Sequence, residues 1–166
     1  VAVMPCFHID PSSDVLNFGD EVFFKELSKV GIFEPISVSR KFCSDSFGRE
    51  QISSSDALPD NFLKRLSEQF GANGVLFIEL HSYKPYRPLS IGVRAKLVDL
   101  KSGEFVWAID ETIDTGDASV MVSANLYQRG KYVQALSQKT SSSILHSPRL
   151  FTKFVAHTLF TTLPNR

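Results

Sequence analysis

Residues 89–114 constrain the fold of this chain more than any other stretch. From 89 to 97, apolar side chains alternate with Ser, Gly, Arg and Lys, which is the period-two pattern of a strand with one buried face. The alternation slips by one residue at Val98, and Lys-Ser-Gly at 101–103 permits a tight turn before the pattern resumes from Phe105. The sequence therefore predicts an antiparallel hairpin with a bulge near its turn.

Apolar runs of strand length predict three further strands, and apolar stripes with helical spacing predict four helices. The predicted strands are 1–7, 32–40 and 75–80, and the predicted helices are 18–30, 59–71, 117–126 and a final helix from Ser147. The Ser-rich stretch 42–57 has no apolar period and predicts a long surface loop. No pattern in 130–146 predicts an element.

The order of these elements predicts the fold class. A strand, a helix, a strand, a helix, three strands and two C-terminal helices describe an α+β domain in which helices pack against a mixed β-sheet. We expect a single domain over residues 1–166, because the sequence has no internal repeat and no linker long enough to divide it. A chain of this length can bury enough apolar surface to fold without a metal or a disulfide.

The charge balance limits the classes of partner. The 18 Lys and Arg side chains offset the 18 Asp and Glu side chains, so the net charge is zero. Binding to nucleic acid or to anionic lipid relies on clustered basic side chains, so we expect no nucleic-acid partner. The longest apolar stretches, 75–78 and 105–109, are far shorter than the roughly 20 residues of a membrane span. We therefore expect membrane attachment only through an anchor outside this chain.

The sequence offers no motif for a metal or a cofactor. Its four histidines, which lie at 8, 81, 146 and 157, show none of the short spacings that place two metal ligands together. It contains no glycine-rich phosphate loop and no Gly-x-Ser-x-Gly motif for a nucleophilic serine. We therefore predict no metal site and no bound cofactor.

The two cysteines leave two alternatives open. Cys6 and Cys43 fall at or just beyond the ends of the first two predicted strands, so they would be close if those strands are parallel neighbours. A disulfide is then geometrically possible. Free buried thiols are the other alternative, and a chain with an adequate hydrophobic core favours them.

Asp114-Thr115-Gly116 matches the tripeptide that carries the catalytic carboxylate of aspartic proteases. Such a site needs two copies of the tripeptide and this chain has one, so a hydrolase using Asp114 would require a homodimer. The other interpretation is a strand end followed by a helix cap at Asp117, which explains the same residue types without a second copy. The hydrolase is the alternative from another functional class.

The turn at 83–88, Tyr-Lys-Pro-Tyr-Arg-Pro, is the best candidate for a protein contact. Tyr and Arg are enriched at binding hot spots, and proline lowers the entropic cost of ordering a loop. We therefore predict Tyr83, Tyr86 and Arg87 as partner-binding residues. The alternative is a solvated connection whose tyrosines cover the edge of the sheet.

Motifs in both halves of the chain resemble one group of proteins. The first half has Val-Ala-Val-Met-Pro at 1–5, a helix ending Glu-Leu-Ser-Lys-Val-Gly-Ile-Phe at 26–33, and a strand that closes at Arg40. The second half has Phe-Gly-Ala-Asn-Gly-Val-Leu at 70–76 and Val-Arg-Ala-Lys-Leu-Val-Asp-Leu-Lys-Ser-Gly-Glu-Phe-Val-Trp at 93–107. Their order and spacing are similar to those of bacterial envelope lipoproteins, a group that includes the penicillin-binding-protein activator LpoB, the curli secretion protein CsgG and the amino-terminal domain of TolB. The resemblance is clearest over 1–115.

The resemblance implies a βαβαβββ domain in the periplasm, held at the outer membrane by a lipidated cysteine upstream of this chain. Members of the group act by binding proteins and share no catalytic motif. It therefore implies a non-enzymatic interaction domain that regulates or scaffolds a peptidoglycan-synthesis or envelope-assembly complex, with a penicillin-binding protein or an assembly complex as partner. An oligomeric structural subunit of a secretion or assembly complex is the alternative. The turn at 83–88 is too short for the membrane barrel of the curli secretion protein, so no pore is expected.

Overall fold

The computed structural model describes residues 1–134 and 143–164, with side chains described for 1–130 and 143–164. The strands are β1 (Ala2–Val3), β2 (Phe7–His8), β3 (Ile36–Ser37), β4 (Gly74–Lys84), β5 (Ser90–Asp99) and β6 (Phe105–Asp114). The helices are α1 (Gly19–Val30), α2 (Arg40–Phe47), α3 (Phe62–Phe70), α4 (Ala118–Gln134) and α5 (Pro148–Phe160). Two short 3₁₀ turns, Asp14–Asn17 and Ile144–His146, precede α1 and α5.

The strands form one mixed sheet in the order β3-β1-β4-β5-β6. β1 lies parallel between β3 and β4, and β2 also pairs with β4 in parallel, so β1 and β2 are two parts of one strand interrupted around Pro5. β4, β5 and β6 form an antiparallel meander. The register of β5 and β6 shifts between Leu97 and Val98, which confirms the predicted hairpin and its bulge. The predicted α+β class is confirmed as a single domain.

Helices cover the two faces of the sheet unequally. The larger core lies on one face, where α1 and α5 pack against side chains of β4 and β5 such as Leu76 and Val93. The smaller core lies on the other face, where α2 and α3 pack against β1 and β4 through residues such as Phe62 and Phe77. The chain leaves β1 through α1 to reach β3 and returns through α2 and α3 to β4. The connections on either side of β1 therefore lie on opposite faces, as expected at a switch point of parallel strands.

Local sequence signals set the ends of the first and last helices. Asp20 and Glu21 lie in the first turn of α1, where the helix dipole favours acidic side chains. Gly31, with φ of 71°, ends that helix in the left-handed conformation as predicted. Ser147 caps α5 by accepting a hydrogen bond from the Leu150 N–H at 3.3 Å.

The predicted long loop at 42–57 is wrong in its first part, because α2 occupies residues 40–47. Ser39 caps α2 by accepting a hydrogen bond from the Phe42 N–H at 3.0 Å, and Gly48 ends it in the left-handed conformation. Cys43 and Ile52 are buried in the smaller core. The helix is too short for its apolar residues to form a visible period, so its Ser-rich composition dominated the pattern. The second predicted strand, 32–40, shortens to the two residues of β3, and its last residue, Arg40, begins α2.

The C-terminal region extends what the sequence predicted. The helix predicted over 117–126 continues as α4 to Gln134, and a 3₁₀ turn lies just before α5. Within 130–146, for which no element was predicted, residues 135–142 lie outside the described residues. No helix in the described part of the chain is long and apolar enough to cross a membrane.

Candidate functional site

The structure separates the three residues predicted as partner-binding. β4 continues to Lys84, so Tyr83 belongs to the strand and pairs with Ile91 instead of lying in the turn. Its ring is half-buried against the larger core. Burial, with a smaller contribution from the Asp14 carboxylate, raises the pKa of the Tyr83 phenol. Tyr83 therefore belongs to the strand that leads into the turn and not to the exposed tip of the turn.

Tyr86 and Arg87 point into solvent at the tip of the turn. Tyr86 is 83% exposed, the highest value among the large apolar and aromatic side chains. Arg87 makes no hydrogen bond or ion pair with the described residues, and its peptide bond to Pro88 is cis. The far side of the turn is fixed, because the Leu89 carbonyl accepts hydrogen bonds from the Thr115 N–H at 2.8 Å and from the Thr115 hydroxyl at 3.1 Å. An exposed aromatic and an unpaired cation thus sit on an anchored turn.

Strand β6 is far more exposed than its partner β5. Seven of the ten residues of β5 are buried, whereas six of the ten residues of β6 are exposed and none is buried. β6 is the last strand of the sheet, and no described strand pairs with its outer edge. Phe105 and Val106, at the start of the strand, are 65% and 37% exposed. β6 therefore presents apolar side chains and an unpaired backbone edge to solvent.

Helix α4 also presents apolar side chains to solvent. Met121, Val122 and Leu126 are exposed, whereas Ala124 and Tyr127 pack against the larger core. Apolar spacing predicts this helix but no role for it. The signal was the run Val-Met-Val at 120–122, because three consecutive apolar residues cannot all face one side of a helix.

A cluster of charged side chains spans β4, β5 and β6 on the face that α2 and α3 leave open. Arg94 donates through Nε and Nη2 to one oxygen of the Asp110 carboxylate, at 2.7 and 2.6 Å. The other oxygen of that carboxylate lies 3.1 Å from His81 Nε2. The Arg94 hydrogen bond, above all, lowers the pKa of Asp110. No local pattern predicts this cluster, because cross-strand register, and not sequence spacing, brings its members together.

Glu79 forms the buried end of this cluster. It is only 5% exposed, and its carboxylate accepts a hydrogen bond from the Ser54 N–H at 2.6 Å as well as one from the Ser54 hydroxyl. The guanidinium of Arg94 lies 3.9 Å away. Glu79 therefore ties residues 53–55 to the sheet. Both carboxylates of the cluster already have partners, so the arrangement supports a structural role better than acid–base chemistry.

The contacts of Asp114 fit the end of a strand. One oxygen of its carboxylate accepts a hydrogen bond from the Gly116 N–H at 2.7 Å. The Asp117 carboxylate accepts hydrogen bonds from the Ser119 N–H and hydroxyl, both at 2.7 Å, which is the N-cap predicted for the helix that follows. Both carboxylates thus stabilise the turn between β6 and α4.

The two cysteines are free and fully buried. Cys6 belongs to the larger core and Cys43 to the smaller one, so the thiols face opposite sides of the sheet. β1 and β3 are parallel neighbours, which was the condition for the two cysteines to be close, but the thiols are free and lie on opposite faces, so the disulfide alternative is wrong. Burial, the main cause in each case, raises the pKa of Cys6 well above its ordinary value and that of Cys43 to about 11.

A crevice of about 310 Å³ opens at the carboxyl ends of the parallel strands, where ligands bind in many α/β proteins. Arg40 and Arg49 line it together with Glu50 and Asp56, so its walls carry both signs of charge. The guanidinium of Arg40 is already paired with Asp20 at 2.8 Å. In the described part of the chain, no group of three or more His, Cys, Asp or Glu side chains is placed to hold a metal ion.

No protein-family model matches the sequence, and no curated protein matches it. Solved structures do share its fold. Lipoprotein GNA1162 from Neisseria meningitidis is 20% identical with a TM-score of 0.54, and the match covers 78% of this chain and 96% of that chain. The hypothetical protein CT253 from Chlamydia trachomatis is 14% identical with a TM-score of 0.50, over 96% of this chain and 91% of that chain. The LpoB C-terminal domain from Escherichia coli is 16% identical with a TM-score of 0.46, over 68% and 79%.

At these identities a structural likeness shows the fold alone. A bacterial lipoprotein shares the fold of this chain over most of its length, which agrees with the fold implied by the sequence resemblance. The LpoB domain, with a TM-score of 0.46, adds nothing to this agreement. The part of the resemblance that concerns CsgG and TolB stays a prediction.

Proposed function

We propose that this chain is a non-enzymatic interaction domain of a bacterial envelope lipoprotein. It would lie in the periplasm, held at the outer membrane by a lipidated cysteine upstream, and would regulate or scaffold a peptidoglycan-synthesis or envelope-assembly complex. A penicillin-binding protein or an assembly complex is the partner that the sequence resemblance implies. The shared fold of the Neisseria lipoprotein supports the envelope location.

One observation carries the proposal. Eight large apolar or aromatic side chains are exposed in the described part of the chain, and six of them lie between residues 86 and 126. The six are Tyr86, Phe105, Val106, Met121, Val122 and Leu126. Scattered exposed apolar residues need no explanation, but most of those described here fall on one turn, one edge strand and the helix that follows it, with Tyr86 and Phe105 at opposite ends of β6. We take this set of residues, the 86–126 surface, as support for a protein-binding role.

Within this surface, Tyr86 and Arg87 are the proposed hot-spot residues. A partner that covers the tip of the turn would bury the Tyr86 ring and supply an acceptor for the unpaired Arg87 guanidinium. Because the turn is anchored at Leu89 by Thr115, little backbone entropy would be lost on binding. Tyr83 would hold the base of the turn without touching the partner.

Crosslinking in the native envelope tests the proposal. The full-length protein serves as bait in detergent-solubilised envelope of its own source organism, and crosslinked partners are identified by mass spectrometry. We expect Tyr86→Ala and Arg87→Ala each to reduce the yield of the main partner about tenfold while the melting temperature stays almost unchanged. Leu58→Ala is the matched control, because Leu58 is also exposed but lies outside the 86–126 surface.

Three outcomes decide between the alternatives. Recovery of a penicillin-binding protein or another synthase supports the regulatory role and calls for assays of glycan polymerisation with and without the domain. Recovery of this chain alone, with a ring or stack in sedimentation at micromolar concentration, supports the oligomeric structural subunit instead. If no envelope protein crosslinks and the chain stays monomeric, the interaction proposal is wrong.

The hydrolase alternative gains no support from the contacts of Asp114, whose carboxylate holds the turn at Gly116. Asp114→Asn tests it directly. Peptidase activity that is present in the wild type and absent in this variant would restore the alternative. Activity that survives the substitution would exclude the role of Asp114.

A further inference from the structure

The outer edge of β6 is an unpaired hydrogen-bonding edge. The Thr115 N–H donates to the Leu89 carbonyl at 2.8 Å, and in an antiparallel ladder such hydrogen-bonded pairs recur at every second residue. The odd-numbered residues of β6 therefore bond to β5. The backbone N–H and C=O groups of Ala108, Asp110 and Thr112 point away from the sheet, and no described strand pairs with them. A ten-residue strand offers roughly 30 Å of such edge.

β6 has few of the features that usually protect an edge strand, and the carboxylate of Glu111 in its core-facing row is one of them. Lysine and proline commonly block edge-to-edge pairing, and β6 contains neither. On its core-facing side, Trp107, Ile109 and Ile113 pack against the larger core but stay partly exposed. A strand added at this edge would extend the sheet and cover these three side chains.

The charges around β6 indicate what kind of strand could be added to its edge. Residues 104–117 contain five acidic side chains and no Lys, Arg or His; the five are Glu104, Asp110, Glu111, Asp114 and Asp117. Asp110 pairs with basic side chains on β4 and β5, while Asp114 and Asp117 hold their own turns. Glu111 makes no hydrogen bond or ion pair with a described residue.

The position of Glu111 makes its carboxylate the group that should discriminate between added strands with and without a facing cation. It lies opposite Val93, in the row that also contains Ile109 and Ile113, so an added strand would remove it from water. A carboxylate that loses its hydration without gaining a cation is costly. A Lys or Arg on the added strand would supply that cation and complete the row.

We infer that the open edge of β6 binds an extended segment of a partner protein that has apolar side chains at alternate positions and a Lys or Arg facing Glu111. Such β-strand addition gains affinity from main-chain hydrogen bonds and specificity from alternate side chains. The inference rests on the proposed function, because it names the kind of partner. A second copy of β6 does not fit, since it would bring three acidic side chains against three with no basic side chain on either strand.

Peptide binding to the full-length protein tests the inference. The probe is a synthetic peptide of about ten residues, matching the length of β6, that has Val at alternate positions, a single Lys in place of the central Val, and Thr at the positions between. Trp107 is the only tryptophan of the chain, so its fluorescence reports binding at this strand. We expect saturable binding and slower amide hydrogen exchange at Ala108, Asp110 and Thr112. The same peptide with backbone N-methyl groups on both of its edges should not bind, because neither edge can then pair with β6.

Two matched variants test the charge. Glu111→Lys should weaken binding of the Lys peptide about tenfold and should bind a peptide with Glu in place of Lys. Glu104→Lys makes the same change of charge just outside the strand and should have little effect. The inference is overturned if both variants weaken binding equally, if exchange slows elsewhere in the protein, or if the N-methylated peptide binds as well.

The two proposals fail in distinguishable ways. If the peptide does not bind but envelope partners still crosslink through the Tyr86 turn, the interaction domain stands and the strand-addition inference is wrong. If envelope partners crosslink and Glu111→Lys removes them while Glu104→Lys does not, both are supported. If nothing crosslinks and no peptide binds, both are wrong.

Discussion

The two halves of the sheet differ in how completely helices cover them. β1, β3 and β4 form the parallel half, which lies between the larger core on one face and α2 and α3 on the other. β5 and β6 form the antiparallel half, which is covered on one face, and β6 contains no buried residue. Parallel strands need helices on both faces, whereas antiparallel strands can leave one face to solvent. Because β5 is also largely buried, the core of the sheet extends from the parallel strands through β5, whereas the exposed groups available for recognition lie on β6.

The same substitution in the two halves should have very different effects. Phe77 on β4 is 1% exposed and stacks on Phe62 with the ring centroids 5.8 Å apart, so Phe77→Ala should lower the free energy of unfolding by about 3–5 kcal/mol. Phe105 on β6 is 65% exposed, and Phe105→Ala should change the free energy of unfolding by less than about 0.5 kcal/mol. Urea denaturation at constant m-value measures both. Comparable losses would mean that the two halves are equally important for stability.

Trp107, on β6, is intermediate in burial between Phe77 and Phe105. Its ring is partly buried against the larger core, and its indole N–H donates to the Thr162 hydroxyl at 3.2 Å. Because only part of the ring leaves water, Trp107→Ala should cost about 2 kcal/mol, less than the change at Phe77. A loss as large as that of Phe77→Ala would show that β6 belongs to the core. Trp107→Phe, which keeps most of the apolar contact, should recover about half of the loss.

The sequence predicted those parts of the fold that have local signals. The hairpin, its bulge and the helix ending at Gly31 follow from alternation, slippage and a glycine that can adopt positive φ. α2 has eight residues and no apolar period, so the stretch that contains it was predicted as a loop. A short helix is stabilised mainly by its tertiary contacts, which a local pattern does not contain.

The candidate site was less predictable than the fold. The turn with Tyr86 and Arg87 has a distinctive composition, but Tyr83 belongs to β4 because the strand is longer than the apolar run that marks it. The cluster around Arg94 depends on which residues pair across three strands, and alternation alone does not fix that register. The exposure of β6 was also missed, because an edge strand and a central strand have the same alternation.

Two glutamates, one on β4 and one on β6, test the same comparison by removing a charge instead of an aromatic ring. Glu79 on β4 is buried and accepts hydrogen bonds from Ser54, so Glu79→Gln should lower the free energy of unfolding by about 1 kcal/mol. The glutamine side chain keeps the shape of the glutamate, and its amide oxygen can still accept the hydrogen bonds, but the negative charge is lost. Glu111→Gln on β6 should cost nothing measurable, since Glu111 has no described partner. Thermal unfolding at pH 7 compares the two, and equal losses would contradict the division between the halves.

The smallest expected effect concerns Asp110, the exposed carboxylate of β6 that contacts Arg94 and His81. Its hydrogen bond with Arg94 lowers the pKa of Asp110 below the ordinary 3.8. A carboxylate with a lowered pKa in the folded state stabilises the protein above its unfolded pKa and loses that contribution as the pH falls through the folded value. Because exposed ion pairs contribute little, Asp110→Asn should cost at most about 1 kcal/mol at pH 7.

The pH dependence separates this ion pair from simple packing. The difference in the free energy of unfolding between wild type and Asp110→Asn should be present at pH 5 and should shrink as the pH falls below about 4. High salt at pH 5 should reduce the same difference, because about 1 M salt screens charges beyond roughly 3 Å. A difference that is independent of pH and salt would mean that Asp110 acts through packing or neutral hydrogen bonds. The antiparallel half would then resemble the parallel half in what stabilises it, and the contrast between them would be one of exposure alone.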